Sequence, residues 1–364
     1  MISVYLSRHA NTCPLAALGY DAVVERAFDA SPWHDQSVGR VIAEHKERYV
    51  VATEAGERNA EITGHLRFSA NGRADFPAVG DWVALTVCDA ELAIIHGILP
   101  RRSMITRQAV GQRGEVQVIA ANVDVAVLLQ AVDRDLSINR LERYLSLCHE
   151  AAVRPIIALT KTDLVEPAQT REIMAAIVGR VAGVPIVALS NLRGDGLADL
   201  SARISAGKTY CLLGSSGVGK STLLNRLSGR DIMKTGAIGE TTQRGRHVTS
   251  HRELVVLPNG GILIDNPGLR EVGLSDASVG VATTFDAIVA LAASCRYPDC
   301  QHTHEAGCAV LAAIENGSLE PGLLESYQRQ RRETAHFEAS VAERHKKDRA
   351  FGKHLKHYLK HYGR

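Results

Sequence analysis

Between residues 39 and 107 the apolar positions fall in short alternating runs, at 49–52, 60–63 and 81–85 among others. Asn71-Gly72 and Val79-Gly80-Asp81 punctuate them with turn chemistry. Short strands at regular spacing predict a small antiparallel barrel or sandwich. Upstream, Leu15, Leu18, Val23, Val24 and Phe28 suggest a helical lead-in. Beyond Val116 the texture changes. Residues 123–129 form an apolar run interrupted only by Asp124, the mark of a strand buried on both faces. Further runs at 155–159, 184–189, 211–213 and 262–264 predict more such strands, and Leu141, Tyr144, Leu145 and Cys148 mark a helix between the first two. Strands alternating with helices predict a doubly wound α/β sheet. After Val281 the pattern is helical, broken once by a cluster of cysteines and histidines. The expected organisation is a lead-in at 1–36, a barrel at 37–115, an α/β domain at 116–280 and a helical metal-binding domain at 281–364.

Composition adds bounds. The chain has 364 residues, an apolar fraction of 45% and a formal net charge of +2. That length suits more than one domain. No apolar run reaches membrane-span length and no export signal opens the chain, so a cytoplasmic protein without a membrane partner is expected. The near-neutral total hides an asymmetry. From Arg329 to Arg364 eleven basic residues face four acidic ones, a local charge of about +7. A solvated helix would explain this end plainly, but aromatics interleaved with bases favour a polyanion such as RNA.

The candidate chemistry lies mainly at strand ends. Gly214, Ser215, Ser216, Gly217, Val218, Gly219, Lys220 and Ser221 follow one strand and, with Thr222, open a helix. This is a complete phosphate loop: glycines turn backbone N–H groups inward, lysine meets the terminal phosphates, and serine is suited to Mg²⁺. Asp265 closes the strand at 262–264 and begins Asp-Asn-Pro-Gly, so the Gly268 N–H is placed to sense a γ-phosphate. Thr160, Lys161, Thr162 and Asp163 end the strand at 155–159 and match the Asn/Thr-Lys-x-Asp tetrad that reads guanine. A carboxylate there accepts from guanine N1–H and the 2-amino group, and adenine would leave it unpaired. Threonine stands at 160, where asparagine is commoner. Ser190-Asn191 occupies the place of the Ser-Ala base loop, with asparagine for alanine.

The polar stretch between the phosphate loop and Asp265 is the expected switch. In it Thr249 is the first choice to complete the Mg²⁺ shell, with Thr241 or Thr242 as rivals. Leu269 cannot orient water, which leaves His247 as the candidate catalytic group; an ordinary exposed histidine is the plainer alternative. Cys295, Cys300, His302 and Cys308 offer three thiolates and an imidazole for one structural Zn²⁺, with His304 a substitute for His302; the spacing is not the usual paired finger, and unligated thiols are the plainer alternative.

The tetrad precedes the phosphate loop, the reverse of the ordinary order, so the nucleotide domain is circularly permuted. With that order the residues above resemble the ribosome small-subunit-dependent GTPase A (RsgA) family over nearly the whole chain. The match includes residues 140–145, the Gly245-x-His247-x-Thr249 switch and Cys295 to Cys308, with Val248 and Asn191 as departures. The resemblance implies an N-terminal OB-fold, a permuted P-loop GTPase domain and a C-terminal zinc domain. It implies a monomer that binds GTP and GDP. Hydrolysis would be stimulated by the small ribosomal subunit during its late maturation, with the barrel and zinc domain on rRNA. Two other readings are an RNA-binding assembly factor whose nucleotide site only gates binding, and a P-loop ATPase, which Asp163 disfavours. Permutation leads the chain from Gly268 straight into the Cys/His segment, while the barrel precedes Val123. From chain order, nucleotide state is therefore expected chiefly to move the zinc module.

Overall fold

The computed structural model describes residues 15–45, 48–108, 115–133, 135–231, 252–265, 274 and 277–362; of Arg252, Ala342 and residues 344–362 only the backbone is described. The lead-in is a single 3₁₀ turn, Leu15–Leu18, followed by α1 (Ala22–Asp29). Asp21 caps α1 by accepting from the Val23 and Val24 N–H groups.

Five strands then close a barrel: β1 (Ser37–His45), β2 (Arg48–Thr53), β3 (Gly56–Ile62), β4 (Trp82–Val87) and β5 (Leu92–Ile98). They are hydrogen-bonded in the order β1-β2-β3-β5-β4, and β4 returns to β1. Closure removes the free edges that so short a sheet would otherwise expose. A short helix, α2 (Gly64–Ser69), sits between β3 and β4. A two-stranded ribbon, β6 (Met104–Gln108) and β7 (Val116–Ala121), leads out of the barrel.

The second sheet holds β8 (Val125–Ala131), β9 (Arg154–Thr160), β10 (Ile186–Ala188), β11 (Thr209–Leu213), β12 (Arg252–Val256) and β13 (Ile262–Asp265), in the order β10-β9-β8-β11-β13-β12. All pairings are parallel except that of β12. β8 is buried at every position because the sheet is covered on both sides. Ala126 and Leu128 face one core with Leu141, Leu145 and Cys148 of α3 (Ile138–Glu150). Val125, Val127 and Leu129 face the other core, with Leu200 of α5 (Leu197–Ser201) and Leu223 and Leu224 of α6 (Lys220–Ser228). α4 (Pro167–Arg180) flanks the sheet between β9 and β10.

The C-terminal helices are α7 (Ser278–Thr284), α8 (Asp286–Ala292), α9 (Ala309–Glu315) and α10 (Pro321–Tyr362). Among the described residues they share a core with α3: Val281, Phe285, Ile288, Val310, Leu319 and Tyr327 continue the α3-side core. Gly280 makes the approach of α7 to α3 possible, since a Cβ there would lie 2.0 Å from Ser146 O. Among the described residues no helix is long and apolar enough to cross a membrane.

Two findings add what chain order does not show. β1 of the barrel pairs antiparallel with β12, placing Ala43 opposite Glu253 and Glu44 opposite Arg252. Barrel and second sheet therefore form one continuous 11-stranded sheet. The strand that joins them, β12, is the one that follows the segment carrying His247 and Thr249 in sequence.

Arg40 makes a second joint. Its buried guanidinium donates to Gly80 O at 3.2 Å, to Thr209 Oγ1 of β11 at 2.9 Å, and to Leu18 O. It also stacks 5.3 Å from the centre of the Trp82 ring, and burial pulls its pKa down to about 9. Arg40→Ala would leave these acceptors unpaired at a cost of about 2–4 kcal/mol. Arg40→Lys should not rescue, because an ammonium cannot span a planar fork of acceptors. Thermal melting checks this, and a lysine variant as stable as the parent would refute it.

Candidate functional site

The carboxyl ends of β8, β9, β11 and β13 gather at one edge of the sheet, where open α/β sheets bind ligands. The phosphate loop leaves β11 there. Gly217 and Gly219 take φ values of 80° and 104°, which suit glycine, and a Cβ at Gly214 would stand 2.8 Å from Leu129 O. Lys220 is buried and donates Nζ to Gly214 O at 2.7 Å and Ser215 O at 2.6 Å. Ser221 and Thr222 follow in the first turn of α6, both half-buried.

Asp265 ends β13 and is also buried, 3% exposed. Burial pushes its carboxyl up to about 6, against the pull of nearby Lys220. Burial likewise brings the Lys220 ammonium down to about 8, opposed by Asp265 and Asp135. Lys220 is thus charged below about 8 and loses its proton above it. In Mg²⁺-free buffer GDP affinity should hold below about pH 8 and weaken above it. A flat Kd from pH 6.5 to 9.5, read with a fluorescent GDP, would contradict this role for Lys220.

The tetrad lies at the end of β9. Thr160 is buried and its Oγ1 donates to Val218 O at 2.7 Å. Lys161 has φ 60° and pairs through Nζ with Asp133 at 2.8 Å. The Thr162 N–H donates to Leu189 O. Asp163 accepts from Ser190 Oγ, and Arg193 donates to Asp163 O at 3.3 Å. The next residue, Asn191, donates Nδ2 to Gly219 O at 3.1 Å. Tetrad, base loop and phosphate loop, far apart in sequence, are therefore linked by direct hydrogen bonds.

Asp133 and Asp135 were missed from sequence. Asp135 accepts from Ser215 Oγ of the phosphate loop and pairs with Arg140 at 2.8 Å. The signal was there: acids just past the apolar run of β8, as Asp265 follows the apolar residues of β13. His247, Thr249, Thr241, Thr242 and Gly268 lie outside the described residues.

The second site lies in the segment between α8 and α9. One ligand atom from each of Cys295, Cys300, His302 and Cys308 lies within 4.8 Å of the others. Cys295 Sγ is 3.9 Å from Cys308 Sγ and 3.7 Å from His302 Nδ1, and His302 Nδ1 is 3.4 Å from Cys308 Sγ. A zinc tetrahedron has S–S and S–N edges of about 3.8 and 3.6 Å, so the donor set fits that ion. His302 reaches inward from a left-handed backbone, φ 57°, while His304 is exposed and bonded to Thr303. Cys308 also caps α9, accepting from Leu311 N–H. Glu305 gathers the loop by accepting from the Gln301, Thr303 and His304 N–H groups, which hold its carboxyl down to about 2. Gln328 of α10 donates to Gln301 O and His302 O, both at 3.1 Å.

Comparison with known proteins agrees with this geometry. A family model described as RsgA GTPase matches residues 98–275. A model described as ABC transporter matches residues 197–357, a span that includes the phosphate loop common to many nucleotide hydrolases. A relative named small ribosomal subunit biogenesis GTPase RsgA, from Opitutus terrae, is 42% identical over 88% of this chain and 90% of its own length. One of the same name from Streptomyces avermitilis is 41% identical over 90% and 88%. Among solved structures, YloQ, described as a circularly permuted GTPase, is 26% identical and superposes with a TM-score of 0.57 over 86% of this chain and 97% of its own. YjeQ from Thermotoga maritima, 23% identical, shares the fold with a TM-score of 0.60 over 81% and 96%. The chain belongs to the RsgA GTPase family and is a GTP-hydrolysing enzyme with a permuted nucleotide domain.

Proposed function

We propose that this GTPase acts in biogenesis of the small ribosomal subunit and hydrolyses GTP when that subunit engages it, late in maturation. The observation that supports it most is the joined cleft: Ser190 holds Asp163 while Thr160 and Asn191 hold the phosphate loop. In this reading Asp163 reads guanine, the 214–219 backbone and Lys220 bind the phosphates, and Ser221 and Thr249 would hold Mg²⁺. The ion would neutralise charge on the phosphates. Asp265 would help hold the metal, the Gly268 N–H would sense the γ-phosphate, and His247 would orient the attacking water. Cys295, Cys300, His302 and Cys308 bind a structural Zn²⁺. The working division is 37–115 for the barrel, 116–280 for the nucleotide domain and 281–364 for the zinc domain, in a cytoplasmic monomer.

Contact with rRNA is supported by charge and by shape. The far end of the chain is basic, and on the barrel Phe68 of α2 is 90% exposed, next to Arg67. An exposed aromatic beside a base is suited to stacking on an unpaired nucleobase. Phe68→Ala should cost about 1–3 kcal/mol of subunit affinity with an unchanged melting temperature.

The test is multiple-turnover phosphate release against added small subunit, at two salt concentrations. Stimulation that weakens with salt is expected. His247→Ala should bind GTP and lose the stimulated rate. If the subunit binds but turnover never rises, the protein is instead a nucleotide-gated RNA-binding factor.

A further inference from the structure

Two polar side chains grip the phosphate loop from the base side of the cleft. Thr160 Oγ1 donates to Val218 O at 2.7 Å, and Asn191 Nδ2 donates to the following carbonyl, Gly219 O, at 3.1 Å. Gly219 O is also the first acceptor of α6, taking the Leu223 N–H at 2.9 Å. A hydroxyl has one proton to give. Thr160 is 0% exposed and gives its proton to Val218 O. It has nothing left for a second carbonyl. An asparagine at 160 would have a second N–H. In this chain that amide is absent from 160 and one stands at 191, where the commoner loop has alanine.

We propose that Asn191 is a positioning residue for nucleotide binding. From the neighbouring loop it supplies the amide tie to the phosphate loop that the Thr160 hydroxyl cannot make. The proposal rests on the guanine-nucleotide reading of the cleft given above.

Three observations carry it. Asn191 meets α6 at a second point, its own carbonyl accepting from Arg226 Nε at 3.1 Å. A Cβ at Gly219 would lie 2.8 Å from Asn191 Nδ2, so the amide occupies the approach that glycine leaves open. Asn191 Oδ1 is buried with no hydrogen-bond partner among the described residues. An orphaned acceptor is a cost that alanine would not carry, so the amide is not there to stabilise its own loop. Because Ser190 holds Asp163 and Asn191 holds Gly219, base reader and phosphate loop are kept in one register.

Dissociation constants for GDP and for inosine diphosphate, which lacks the 2-amino group, test this in the full chain. Asn191→Ala should weaken both by the same factor, about 3- to 10-fold, the worth of one net hydrogen bond. The melting temperature should be unchanged or raised. Asn191→Asp, which keeps the size and loses the donor, should weaken binding at least as much. Adding Thr160→Asn to Asn191→Ala should return GDP affinity to within about twofold of the parent. Parent-like binding by Asn191→Ala or Asn191→Asp overturns the proposal. So does a loss confined to GDP, which would make Asn191 a base contact, and so does failure of Thr160→Asn to restore affinity. A parent chain that binds no GDP would be a different failure, that of the nucleotide reading itself.

Discussion

Lys220→Ala is expected to lower GTP turnover by roughly 10²–10³, the usual cost of deleting one preorganised charge donor. The same variant should melt close to the parent. Lys220 is an ammonium held 7% exposed against two loop carbonyls, and its depressed pKa records what burial costs it. Alanine removes that cost but leaves Gly214 O and Ser215 O without this donor, and the two effects oppose each other. That balance is what the proposed role of the charge, to serve the phosphates more than the fold, requires. Single-turnover hydrolysis and differential scanning fluorimetry on one preparation separate the two. Turnover within about threefold of the parent would remove Lys220 from the mechanism.

Cys308→Ala should have the largest structural effect. Cys308 is buried, stands 3.4 Å from His302 Nδ1, and caps α9. Its loss takes one thiolate from a zinc set, and such sites are worth on the order of 10 kcal/mol to a small module. The consequence should spread, because the C-terminal helices share their core with α3. Cys148 on α3 reports it: the thiol is 0% exposed and burial raises it to about 12. In the variant, bound zinc should fall from one equivalent to none and Cys148 should become open to a thiol reagent. The exposed Cys88 is the labelling control, reacting in both proteins. A parent without zinc, or a variant that keeps Cys148 protected, would reject this account.

How far sequence could reach is clear from particular residues. The phosphate loop, the tetrad and the Cys/His cluster were legible because each is a local motif whose chemistry needs fixed types at fixed spacing. The α/β sheet was legible because strands buried on both faces show as nearly unbroken apolar runs. β12 was not: it runs antiparallel to its neighbour β13 among otherwise parallel described strands of the α/β part, and its pairing with β1 joins residues about two hundred positions apart. No periodicity reports a partner. The same holds for Arg40, whose hydrogen bonds to Leu18, Gly80 and Thr209 converge only after folding.

Asn191 shows the division most clearly. From sequence it was a departure that weakened a motif. In the structure the departure at 191 and that at 160 lie on adjacent carbonyls of one loop. The sequence by itself determined which groups are present: a phosphate loop, the carboxylate of the Thr-Lys-Thr-Asp tetrad, a soft ligand set, and the order that makes the domain permuted. Tertiary structure alone decided which of them touch. Hydrogen bonds and ion pairs act over about 3 Å, a range that separation along the chain neither predicts nor limits.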